Sequence, residues 1–165
     1  MKYLLCLVLL VIPTALNAQS VLVNVTDENG SPIENAVVSL VSEDKSKNFR
    51  NEGKADPVML QQGQEFVPGI LPVSIGSEVY FPNKDNFRHM IYSFSKAKRF
   101  EVQLYGGEDQ IFVNFDKAGL VTLGCNIHDN MVGYIYVLET DHFAKSDNNG
   151  KIELTDLPPG TYEAT

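Results

Sequence analysis

The sequence predicts an all-β protein built as a β-sandwich, and three observations predict it. Apolar and polar residues alternate strictly through Phe100-Glu-Val-Gln-Leu104, the period of a half-buried strand. Short runs rich in β-branched and aromatic residues recur along the chain after Gln19, each bounded by turn residues. No segment carries a convincing helical period.

Taken in order, the amino terminus stands apart from the fold. Met1-Lys2 precedes the apolar run Leu4–Ile12, then Pro13 and a small-residue segment ending Asn17-Ala18. A basic start, a short apolar core and a small residue at the cut make residues 1–18 a secretory signal peptide. The run is well short of the roughly 20 residues that a membrane span takes. The first strand is expected over Val21–Val25, closed by the turn Asp27-Glu-Asn-Gly30. Ala36–Val41 is the second. Lys45–Gln62 is polar enough for a loop with a short helical turn. Strands then follow at Glu78–Phe81, Met90–Phe94, Phe100–Leu104, Ile111–Phe115, Leu120–Leu123 and Val132–Leu138. Gly76, Pro82-Asn83, Gly106-Gly107 and Gly119 separate them as turns.

Composition narrows the function. Of 165 residues, 44% are hydrophobic and 21% charged, a globular balance that excludes disordered and collagen-like classes. The net charge is −8 and no dense Lys/Arg cluster exists, so neither nucleic acid nor an anionic membrane surface is expected as a partner. Of the two cysteines, Cys6 leaves with the signal peptide. Cys125 then stands alone in an oxidising compartment, where a thiol is buried, catalytic or bound to a metal.

Cys125-Asn-Ile-His128-Asp-Asn-Met131 places a thiolate, an imidazole and a thioether on the loop between two apolar strands. His89 lies just ahead of the strand Met90–Phe94. Two imidazoles, one thiolate and a thioether are the donors of a mononuclear blue-copper site: soft sulfur suits Cu(I), and a long axial methionine tunes the potential. A cysteine–histidine nucleophile pair is the enzyme alternative, but it needs an oriented base and an oxyanion pocket that the sequence does not supply. Zinc also takes cysteine and histidine, though a methionine donor is uncharacteristic of it. His142, the third histidine, has no sulfur or carboxylate at ligand spacing and is read as structural or exposed.

Two resemblances extend this reading. Phe66-Val-Pro68, Gly76-Ser-Glu-Val-Tyr-Phe-Pro-Asn-Lys-Asp85, His89 and the stretch Gly119–Val137 resemble the cupredoxins. Within that family they are most similar to the amicyanin/plastocyanin-like "methylamine utilization" proteins. The resemblance covers residues 59–139 and implies a Greek-key cupredoxin-like sandwich. It implies His89, Cys125 and His128 as trigonal ligands of one type 1 copper, with Met131 as the weak axial ligand. His128 would be the electron exit, with Met131, Val132 and Met90 as candidates for an apolar rim. Many cupredoxins carry asparagine after the first histidine, where this chain has Met90; Asn83 and Asn126 are the candidates to tie the ligand segments together. The flanks, 19–45 and 140–165, resemble the two parts of a carboxypeptidase-regulatory, transthyretin-like module. Such modules continue past the Gly-x-Tyr seen at Tyr162, so a fragment or an incomplete module is expected.

The expectation is therefore an exported, periplasmic type 1 copper protein that shuttles single electrons and is not an enzyme. Its partners would be redox proteins such as a c-type cytochrome or a dehydrogenase. Two alternatives stand beside it: an envelope copper storage or delivery protein, and a metal-free β-sandwich binding module.

Overall fold

A computed structural model of the protein describes residues 19–49 and 56–165. The expected signal peptide with Cys6 lies outside the described residues. The strands are β1 (Gln19–Asn24), β2 (Val37–Ser42), β3 (Leu60–Gln62), β4 (Glu65–Val67), β5 (Ile70–Ser74), β6 (Ser77–Tyr80) and β7 (His89–Phe94). They continue as β8 (Arg99–Tyr105), β9 (Phe112–Phe115), β10 (Gly119–Cys125), β11 (His128–Leu138), β12 (Phe143–Lys145), β13 (Lys151–Leu157) and β14 (Tyr162–Ala164). Among the described residues the only helical turn is a single 3-10 turn at Lys45–Lys47, so the chain is all-β as expected. No described helix is long and apolar enough to cross a membrane.

A five-stranded sheet in the order β5-β11-β10-β7-β8 carries the central unit, faced by the β6–β9 pair. Along β11 the residues Met131, Gly133, Ile135 and Val137 are buried while Val132 and Tyr134 between them are exposed. That period of two puts one face of the sheet on the core. Val121 and Leu123 of β10, Ile91 of β7, Val79 of β6, Phe115 of β9 and Phe81 fill the space between the layers. The β3–β4 hairpin covers one end, because Gly133 lets Phe66 lie where a Cβ would sit, 2.7 Å from its Cβ. The loop expected over Lys45–Gln62 thus ends in β3. Pro72 is tolerated in β5 because β5 lies at the sheet edge, parallel to β11, where a missing N–H can be accommodated.

The remaining strands form other sheets. β1 pairs with β13, and β2 lies between β12 and β14. Leu40, Ile152, Leu154 and Leu157 make a small second core there. His142 is buried beside it, its Nε2 2.7 Å from the Lys47 carbonyl and its ring edge-on to Tyr162. Lys145 Nζ of β12 donates to the Ile70 carbonyl at 3.0 Å, joining these strands to β5.

The turns at Asp27 and Asp147 are built alike. Asp27 Oδ1 accepts from the Ser31 and Asn29 amides, and Asp147 Oδ1 from those of Lys151 and Asn149. The amides of Ser31 and of Lys151 are the main reason that the two carboxyls sit below their usual range. Gly150 closes the second turn at φ +72, and a Cβ on it would stand 2.3 Å from the Val25 carbonyl oxygen. Gly150→Ala is expected to destabilise this part of the chain by about 1–3 kcal/mol, because backbone rather than a flexible side chain must yield. Thermal unfolding against the unsubstituted protein measures it, and an unchanged melting curve contradicts it.

Candidate metal centre

Three of the four expected ligands converge at one end of the sandwich. His89 opens β7, Cys125 closes β10 and His128 opens β11. Cys125 continues the inward alternation of Val121 and Leu123, and pairing of Gly124 with Tyr92 and of Cys125 with Ile91 sets it against β7. Its Sγ lies 3.5 Å from His89 Nδ1 and 3.6 Å from His128 Nδ1. All three donor atoms fall within 4.8 Å of one another. Donors that share one ion at bonds of about 2.0–2.3 Å stand roughly 3.3–3.8 Å apart, so the two sulfur–nitrogen separations fit a common ion. Cys125 and His89 are buried, whereas His128 is partly exposed.

The sequence places the three downstream ligands on a loop, but Asn126-Ile127 alone separates the two strands. Beyond that turn the register slips: Cys125 pairs with His128 while Gly124 pairs with Val132. Asp129, Asn130 and Met131 are the extra residues, a bulge that bends the strand. Met131 lies on the buried face at 1% exposure, where an unbroken register would set it opposite Cys125. Buried there, it forms no part of an exposed rim, contrary to expectation. Val132, also expected there, is exposed, and so are Phe87 and Ile127 beside the cluster. The Phe87 ring stands 5.1 Å from the His89 ring and 5.4 Å from that of His128. Its only sequence signal is an aromatic two residues ahead of an expected ligand.

Hydrogen bonds brace the cluster from behind. Asp85 Oδ2 lies 2.8 Å from His89 Nε2. The same carboxylate accepts from the Gly63 amide at 2.7 Å and the Gln64 amide at 3.2 Å, both in the β3–β4 turn. Burial pushes the Asp85 carboxyl up, but the Gly63 amide, the His89 ring and the Gln64 amide together bring it below the usual range. Asn83 Oδ1 accepts from the Asp85 amide, and its Nδ2 donates to the carbonyls of Phe87 and Tyr105. On the other side the Asn126 amide donates to the Met90 carbonyl at 3.0 Å, and Asn126 Nδ2 reaches Met90 Sδ at 3.5 Å. Asn126 therefore ties the Cys125–His128 turn to the His89 strand, whereas Asn83 braces the segment ahead of His89 against β8. Tyr105, opposite His89 on β8, donates its hydroxyl to the Phe81 carbonyl and accepts from Gln61 Nε2. Burial holds that phenol well above its ordinary range, so it is neutral.

No family model matches the chain, and no curated protein matches it. Solved structures do. A purple cupredoxin from Nitrosopumilus maritimus matches at 22% identity over 50% of this chain and 100% of its own, with TM-score 0.46. A copper-containing nitrite reductase from Thermus scotoductus matches at 24% identity and TM-score 0.49 over 53% of this chain, which spans only 23% of that enzyme. A reduced, Cu(I) form of an amicyanin variant matches at 17% identity and TM-score 0.47, over 61% of this chain and 98% of its own. The solved neighbours of this all-β sandwich are cupredoxins.

Proposed function

We propose that the protein is an exported type 1 copper protein that carries single electrons between redox partners. The observation that carries this reading is the thiol of Cys125 with one imidazole Nδ1 on each side, at 3.5 and 3.6 Å. A thiolate with two neutral imidazoles is a donor set for copper, and the buried thioether of Met131 would be a further, weaker donor. His89, Cys125 and His128 would hold the ion, with Met131 as the axial ligand. Copper in such a site supplies one-electron chemistry between its two oxidation states.

The chain's own residues suit that task. Three ligand segments end on paired strands; Asn126 links two of them, and Asn83 and Asp85 hold the segment of the third, His89, which favours one geometry for both oxidation states. Phe87 and Ile127 flank the partly exposed His128 with apolar surface, suited to brief docking of a partner such as a c-type cytochrome or a dehydrogenase. His142 is engaged with Lys47 in the other core, which argues against a second nitrogen-rich catalytic site and for a carrier over an enzyme. We read 59–139 as the copper domain, 19–45 and 140–165 as a flanking β module, and the periplasm as the compartment.

Copper titration of the purified protein tests the proposal. One equivalent of Cu(II) is expected to produce an intense blue or green charge-transfer band and narrow copper hyperfine splitting. A colourless protein without stoichiometric uptake overturns it. Reversible electrochemistry with slow copper release supports the carrier, and ready transfer of copper to an acceptor protein favours delivery.

A further inference from the structure

We infer that Asp85 is a positioning residue of the metal centre, one that fixes His89 as an Nδ1 donor and biases the bound ion toward its more highly charged state. This deepens the copper reading and rests on it only where the bound ion is concerned.

The first argument is the division of labour in one imidazole ring. An ionised carboxylate only accepts, so the His89 nitrogen that faces Asp85 at 2.8 Å must carry the ring's proton. That leaves Nδ1, the nitrogen 3.5 Å from Cys125 Sγ, with its lone pair free for a metal. His128 differs: its Nδ1 faces the same sulfur, but among the described residues no hydrogen bond holds its other nitrogen. One ligand is clamped and the other is not.

The second argument is how firmly the clamp is held. Gly63 and Gln64 both adopt positive φ, 66 and 63, which turns their two amides toward one carboxylate. For glycine that conformation is free, but for Gln64 it is uncommon and costs about 1–2 kcal/mol. The Asp85 amide is tied in turn to Asn83 Oδ1 at 2.9 Å. A hairpin turn, an asparagine and a carboxylate thus converge on one ring nitrogen. The third argument is charge. The Asp85 side chain is 10% exposed and His89 is fully buried, so water screens this negative charge little. A poorly screened anion one imidazole away from an ion stabilises the higher ionic charge.

The test uses the full chain as Asp85→Asn, which removes the charge at nearly constant shape, and as Asp85→Glu, which restores it. In the metal-free protein, nitrogen NMR of the histidine rings reads the tautomer. His89 is expected as the Nε2–H form, and Asp85→Asn is expected to populate the other tautomer. In the copper-loaded protein, Asp85→Asn is expected to weaken Cu(II) affinity by about 10–100-fold. It is also expected to move the Cu(II)/Cu(I) balance at least tenfold toward Cu(I), about 59 mV in potential, with most of that shift recovered in Asp85→Glu. An Asp85→Asn protein that melts lower yet keeps its tautomer and potential shows a mere brace for the hairpin turn, and overturns the inference. A native protein that forms no copper–thiolate complex overturns the copper reading instead, and the tautomer in the metal-free protein then decides the role of Asp85.

Discussion

Cys125→Ala is expected to abolish the intense visible band of the copper-loaded protein and the narrow hyperfine pattern with it. The expectation follows from chemistry more than from packing. Cys125 is the free cysteine of the described chain and the one anionic donor in the cluster, so no neighbour can replace its charge-transfer transition. Its sulfur is also the point shared by both nitrogen contacts, which would be left as two imidazoles with nothing between them. Alanine is preferred to serine because a hydroxyl could still offer the ion an oxygen. Residual copper bound by His89 and His128 would be pale, with broad splitting. Absorption and electron paramagnetic resonance at matched copper loading decide the matter; a retained intense band would place the chromophore elsewhere.

Phe81→Ala is expected to cost about 3–5 kcal/mol of stability, the range for emptying a buried aromatic site. Phe81 is fully buried, its ring 6.3 Å from that of Phe100, which meets Phe115 edge-on at 6.2 Å. Its carbonyl accepts the Tyr105 hydroxyl and its amide donates to the Ile111 carbonyl, so a collapse around the missing ring also disturbs the layer behind His89. Denaturant unfolding of the metal-free protein is the measurement, since a bound ion would mask the loss by mass action. A change under 1 kcal/mol would mean that the two sheets close over the vacancy. Two separate transitions, of which Phe81→Ala moves one and Gly150→Ala the other, would support the proposed division into domains.

Much of this could be read from the chain, and the parts that could not share a physical cause. Strands with a clean alternation, such as that around Phe100–Leu104, were legible because one face is buried and the other is wet. β3, β4 and β5 were not. The first two are three residues each, too short for a period to show, and β5 carries a proline that normally argues against a strand. The three converging donors were legible from residue type and spacing, because sulfur and imidazole near one another are rare without a purpose. Asp85 was not: a lone aspartate in a polar stretch looks solvated until the fold brings the β3–β4 turn over it. Met131 was read as both ligand and rim, and only the register slip shows why the second role fails.

That slip gives the hairpin a property of its own. An ordinary antiparallel pair offers each residue one neighbour across the ladder, yet here the partner strand sets both His128 and Met131 toward the cysteine's position. Three extra residues achieve this: strict alternation would set residues three apart on opposite faces, but Asp129 and Asn130 are exposed in succession and break the alternation. Asp129 and Asn130 are exposed and touch nothing in the core, so their identity is nearly free while their count is not. The stretch works as a length gauge. Exchanging either residue would leave the site intact, whereas deleting one would shift the register that sets His128 and Met131 against Cys125.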